Sequence, residues 1–129
     1  MRNTKQKVEI YNFLKSVHSH PTAETVYKQI LKKIPNITLA TVYRNLNQLT
    51  QTKKILRLEI NKEYRYDADI KQHQHCVCEK CGNIEDIFLN NIQSYSNKKF
   101  QSDTQFELNN TEIIFKGICN KCQKKNREN

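Results

Sequence analysis

Apolar residues fall at helical spacing in the first part of the chain and alternate after it. From Lys5 to Val17 the apolar positions Val8, Tyr11, Leu14 and Val17 predict a first helix. His20-Pro21 breaks it, because proline disfavours helical geometry in the residue before it. Thr22 caps a second helix with Val26, Ile30 and Ile34 on one face, and Pro35-Asn36 ends that helix. Thr38 caps a third, from Leu39 to about Gln51, in which Val42, Leu46 and Leu49 face inward. Alternation then takes over: Ile55 to Ile60, a polar Asn61-Lys62 turn, and Glu63 to Asp67 spell a β-hairpin. Three helices and a hairpin make a winged helix-turn-helix, with the third helix as reader. A three-helix bundle carrying an unrelated hairpin has the same pattern.

The second half is less regular. Ala68 to Gln72 reads as a hinge between a domain at 1–67 and another at 73–129. His73 to Cys78 and Ile84 to Phe88 read as strands, Leu89 to about Gln101 as a weak helix, and Thr111 to Ile118 as a third strand. The polar tail from Gln123 is expected to fray. The fold class is α+β: an N-terminal winged helix-turn-helix and a small C-terminal α/β domain.

Composition sharpens this picture. Apolar residues are 36% and charged residues 27% of 129, and the mean hydropathy is −0.85, so the core must be thin. Chains with thin cores generally need metal, disulfides or a partner subunit. No apolar run approaches the ~20 residues of a membrane span, and Met1 to Gln6 holds no apolar leader. A cytoplasmic location follows, in which paired cysteines hold metal more often than they form disulfides. Residues 1–66 carry 13 Lys and Arg against four acids, whereas 67–129 carry nine of each. A basic half joined to a neutral one reads as a nucleic-acid reader joined to a control domain.

The candidate chemistry lies mostly in the neutral half. Cys78-x-x-Cys81 and Cys119-x-x-Cys122, 37 residues apart, supply four thiolates for one closed, structural Zn²⁺ site. Lys80 and Lys121, one in each knuckle, can offset the negative charge of the tetrathiolate. Two disulfides are the competing reading of the same residues. Cys76 falls on the Cys78 face of its strand, away from His73 and His75, and reads as a packed, uncoordinated thiol. His73-x-His75 puts two imidazoles on one strand face, a common metal pincer that carries little weight alone.

Four segments carry a resemblance, in chain order. They are His20-Pro21-Thr22-Ala23-Glu24, Leu39-Ala40-Thr41-Val42-Tyr43-Arg44-Asn45-Leu46, His73-x-His75-x-x-Cys78-x-x-Cys81-Gly82-x-Ile84-x-Asp86, and Cys119-x-x-Cys122. Together they resemble the ferric uptake regulator (Fur) family, and within it the peroxide-responsive (PerR) branch. The resemblance implies a metal-responsive, non-enzymatic homodimeric repressor on palindromic double-stranded DNA, with the C-terminal domain as dimerisation domain. It implies a regulatory site built from His20, Asp67, His73, His75 and Asp86. Imidazoles and carboxylates suit Fe(II) or Mn(II) better than a thiolate set would. His18 and Asp69 are the neighbouring competitors for those roles.

The branch further implies loss of DNA when peroxide oxidises a histidine ligand, His20 or His73. Iron-sensing members tend to carry glutamates where Asp67 and Asp86 stand, and zinc-sensing members a hinge cysteine. An iron- or zinc-responsive uptake regulator is the alternative, and a zinc-ribbon interaction module needing only the four cysteines is a third. On the third helix Thr41, Tyr43, Arg44 and Asn45 are the candidate DNA contacts. Two departures stand out. The family's Thr-x-Gln-Arg segment appears as Thr4-Lys5-Gln6-Lys7, almost at the start, and no histidine follows His75 to build a further metal site.

Overall fold

The structure, a computed structural model, describes residues 4–128, with side chains described to residue 125. The reading of Met1 to Asn3 as part of a leaderless start lies outside the described residues, as does Asn129. The chain forms two compact units, Met1–Ile70 and Lys71–Asn129.

The first unit contains α1 (Lys5–Ser16), α2 (Ala23–Ile30), α3 (Leu39–Gln51), β1 (Leu56–Ile60) and β2 (Glu63–Asp67). Each helix begins at a threonine whose hydroxyl accepts the backbone N–H three residues on: Thr4 from Lys7, Thr22 from Thr25, Thr38 from Thr41. Such a cap is worth about 1 kcal/mol. The core gathers Ile10, Leu14, Val26, Ile30, Val42, Leu46, Leu49, Ile55 and Tyr66.

Two expectations need correction here. The inward face of α1 is Lys7, Ile10 and Leu14, not a stripe through Val8, which is 45% exposed. Ile10 and Leu14 are apolar at helical spacing too, and packing against α2 and α3 selects their face, with Lys7 buried alongside. The second helix stops at Ile30 rather than continuing to Pro35. Pro35 disfavours helix at Ile34, and turns carry the chain so that Ile34 and Ile37 still reach the core.

The hairpin is tight. Ile60 pairs with Glu63, leaving Asn61 and Lys62 as a two-residue loop at φ 54° and 66°. Positive φ at both residues is the type I′ condition, whose twist matches that of the strands. Asparagine tolerates it; lysine does so at a steric cost.

The second unit contains β3 (Gln74–Cys78), β4 (Ile84–Ile87), α4 (Ile92–Asp103), β5 (Ile114–Gly117) and α5 (Asn120–Glu128). Its sheet has the order β4-β3-β5, with β3 antiparallel to β4 and parallel to β5. The helix starts three residues later than expected and buries none of its residues, which explains its weak sequence signal. The third strand is shorter than Thr111 to Ile118. The tail expected to fray is helical: α5 begins directly after Cys119 and carries Cys122 on its first turn. Among the described residues no helix is long and apolar enough to cross a membrane.

Replacing Lys62 by Gly removes the steric cost of its positive φ. The variant should be more stable by about 1 kcal/mol, read as a higher urea midpoint with an unchanged slope.

Candidate metal centres and nucleic-acid surface

In the second unit, strand direction builds the cysteine cluster. Because β5 runs parallel to β3, with Cys78 opposite Gly117, both cysteine pairs arrive at the same end of the sheet. Gly82, at φ 77°, turns the first knuckle, and its N–H returns to the Cys78 carbonyl at 2.9 Å. Cys78, Cys81, Cys119 and Cys122 bring their sulfurs within 4.8 Å of one another. Zinc–thiolate bonds of ~2.3 Å in a tetrahedron set sulfurs roughly 3.8 Å apart, and Cys81 Sγ lies 3.7 Å from Cys119 Sγ. The donor set fits zinc.

Electrostatics within the cluster agree. The backbone N–H groups of Cys119 (3.3 Å) and Cys81 (3.5 Å) donate to Cys78 Sγ and lower its thiol to about 6. Hydrogen bonding to Cys119, followed by burial, pushes the Cys122 thiol up to about 12. Crowded sulfurs divide into an acidic and a reluctant thiol, and a divalent cation lets all four ionise. Cys76 stands outside this cluster, half-buried, and lines a cavity of about 190 Å³ with Cys78 and Cys119. Burial and then the Glu85 charge raise its pKa, so little of it is thiolate.

The same unit assembles a second donor group. Register places Asp86 directly opposite His75 across β3 and β4. Asp86 Oδ1 lies 3.3 Å from His75 Nε2 and 3.4 Å from His73 Nε2, and the two Nε2 atoms are 3.1 Å apart. The Lys71 carbonyl, 2.6 Å from His73 Nδ1, can only accept, so the proton sits on Nδ1 and Nε2 presents its lone pair to the cluster. The Phe88 ring stacks on His73 with centroids 5.0 Å apart. Donor atoms bound at ~2.1 Å stand roughly 3.0 Å apart in an octahedron and 3.4 Å in a tetrahedron, which brackets these separations.

The first unit holds a smaller pair. His20 adopts φ 55°, rare for a non-glycine residue, where extended backbone is the usual choice before proline. Hydrogen bonds hold that bend against the hairpin. Arg65 Nη1 donates to the His20 carbonyl at 3.2 Å, and the Tyr66 N–H donates to the Pro21 carbonyl at 3.1 Å. The bend aims His20 Nε2 at Asp67 Oδ2, 3.3 Å away. Asp69 donates its backbone N–H to Asp67 Oδ1 and so orients that carboxylate.

Of the four candidates on α3, Tyr43 and Arg44 are exposed and Thr41 is half-buried. Asn45 is buried, and its amide donates to the Thr41 carbonyl at 3.0 Å. It faces the core, since it adjoins Leu46 and follows Val42 by one turn. Arg44 Nη2 donates to Thr41 Oγ1 at 3.2 Å, and the Tyr43 hydroxyl donates to Glu24 at 3.0 Å. Sequence reasoning missed the supporting groups: Arg65, the Lys71 carbonyl, Phe88, and exposed Asn47. Only the spacing of Thr41, Arg44 and Asn47, three residues apart on one helix face, could have signalled Asn47.

Residues 1–116 match the sequence profile of the ferric uptake regulator family. The peroxide-responsive repressor PerR of Staphylococcus aureus is 33% identical over 129 residues, covering 97% of this chain and 84% of the relative. The fold is similar to that of the Campylobacter jejuni peroxide stress regulator, with a TM-score of 0.76 and 32% identity over 91% of this chain and 88% of that one. It is also similar to the Helicobacter pylori ferric uptake regulator, with a TM-score of 0.78 and 29% identity over 95% and 83%. The four-cysteine cluster, the histidine–aspartate groups and these likenesses lead to one conclusion: the chain belongs to the ferric uptake regulator family of metal-responsive, DNA-binding transcription regulators.

Proposed function

We propose that this chain is a peroxide-sensing, metal-dependent repressor that binds a palindromic operator as a homodimer. The observation that carries the reading is the donor set, imidazole and aspartate throughout, with His73, His75 and Asp86 already converged at 3.1–3.4 Å. Aspartates at 67 and 86 and relatives about a third identical that are peroxide-responsive repressors favour this branch.

In this reading His20 and Asp67 join His73, His75 and Asp86 around one Fe(II) or Mn(II), the first pair from the reader and the rest from the control domain. Zn²⁺ is held separately by Cys78, Cys81, Cys119 and Cys122. Bound Fe(II) would supply the electrons that cleave the O–O bond of hydrogen peroxide, one oxygen going to a histidine ring and the other leaving as water. His20 and His73 present Nε2 to that centre, and Asp67 and Asp86 balance the divalent charge. Sharing the ligands fixes the angle of the reader, and in a dimer that sets the separation of the two α3 helices on DNA. Metal and DNA affinities are then reciprocally coupled, by about 5–150-fold if the coupling is of ordinary size. Exposed Phe88, Leu89, Tyr95, Phe106 and Phe115 in the second unit fit burial against a second copy. On α3, Tyr43 and Arg44 make the base and phosphate contacts with support from Thr41, while Asn45 shapes the helix from inside.

A metal-uptake regulator is the second reading, favoured by the likeness to the H. pylori ferric uptake regulator. Anaerobic binding to an A/T-rich palindromic duplex, with zinc-loaded protein plus Fe(II) or Mn(II), separates the two. A peroxide pulse should abolish binding of the Fe(II) form alone and add one oxygen atom to the peptide holding His20 or His73. Metal-dependent binding that survives the pulse would establish the uptake regulator instead.

Zinc removal gives a separate expectation. A strong chelator should collapse the second unit, whose core is thin, while the helical signal of α1–α3 persists in circular dichroism. Cys122→Ser should do the same without chelator and leave less than one zinc per chain. Because protons compete for the thiolates, zinc should be lost as pH falls.

A further inference from the structure

The hairpin carries one cation whose setting differs from its neighbours'. Arg65 is turned inward to Glu63 and the His20 carbonyl. Arg57, on β1, has no carboxylate partner among the described residues. Its guanidinium carbon lies 4.4 Å from the centre of the Tyr64 ring, and Nη1 donates to Asn47 Oδ1 at 3.5 Å. Glu59, on the same face of the hairpin, makes no ion pair with it.

These two supports do different things. Tyr64 gives the guanidinium plane an aromatic face, which fixes its orientation without cancelling its charge. Asn47 ties it to α3, one turn beyond Arg44. Arg44 is supported in the same neutral way, by Thr41. A stripe of Thr41, Arg44 and Asn47 thus runs along α3 and continues onto the hairpin through Arg57, with two uncompensated guanidinium groups along it. A fork of N–H donors held by neutral groups suits a phosphodiester oxygen, since Arg binds phosphate in two-pronged fashion.

Building on the DNA-binding reading, we propose that Arg57, oriented by Tyr64 and Asn47, is a DNA-phosphate contact that extends the α3 surface onto the hairpin. The contact is independent of sequence, so it should add affinity on any duplex and leave discrimination to α3.

The test is a salt series of fluorescence anisotropy on the full chain loaded with zinc and manganese. An A/T-rich palindromic duplex and a random duplex of equal length serve as probes, and thermal melting confirms that each variant folds. Arg57→Gln should weaken binding several-fold on both duplexes and reduce the slope of log affinity against log salt by about 0.9 per protomer. Asn47→Ala should weaken binding while keeping the slope, and add nothing when combined with Arg57→Gln. Unchanged affinity in Arg57→Gln overturns the contact. A loss with unchanged slope overturns it too, leaving Arg57 as a structural rivet between hairpin and helix. Wild-type protein that binds neither duplex would overturn the DNA-binding reading beneath it, an outcome distinct from both.

Discussion

Four cysteine sulfurs meeting at one end of a three-stranded sheet are the constraint on which the second unit depends. That unit buries few apolar side chains, Val77 and Ile84 chief among them, and its longest helix buries none. So little burial cannot offset the conformational entropy of ordering some sixty residues. Metal–thiolate bonds add to what burial and hydrogen bonding supply, because their free energy is folding free energy. The parallel pairing of β3 with β5 makes the meeting geometrically available.

The histidine–aspartate groups follow a different logic. Here other protein groups orient the donors: the Lys71 carbonyl fixes the tautomer of His73, Phe88 stacks on its ring, and β3–β4 register delivers Asp86 to His75. In the first unit, backbone strain at His20 is held in place by Arg65 and Tyr66. Strained backbone persists only where its surroundings over-determine it, and such places cluster at functional sites. The thiolate set suits a structural zinc, and the separately supported nitrogen and oxygen donors of each unit suit a harder ion.

Charge is arranged with similar economy in the first unit. Some of its cations are neutralised by carboxylates, such as Lys33 with Glu9 and Arg65 with Glu63, and others are propped by uncharged groups, Arg44 and Arg57 among them. The second kind keeps its full charge for an anionic partner. That separation gives the net charge of +9 a direction instead of only a magnitude.

By itself the sequence determined the elements whose signals are local. Leu39 to Gln51 is a helix between the bounds expected of it, because Thr38 caps it and three apolar positions repeat at its period. The hairpin closes at Asn61-Lys62, because alternation flanks a polar pair. The cysteine pairs announced zinc because two C-x-x-C turns need little else. Tertiary structure decided what depends on neighbours distant in sequence: which face of α1 turns inward, where α2 stops, and that Asn45 faces the core. It also decided the helical conformation of a tail that reads as polar coil, since its first turn is anchored at the cysteine cluster. Local chemistry is written in adjacent residues, whereas burial and strand register are properties of the partners that each segment meets.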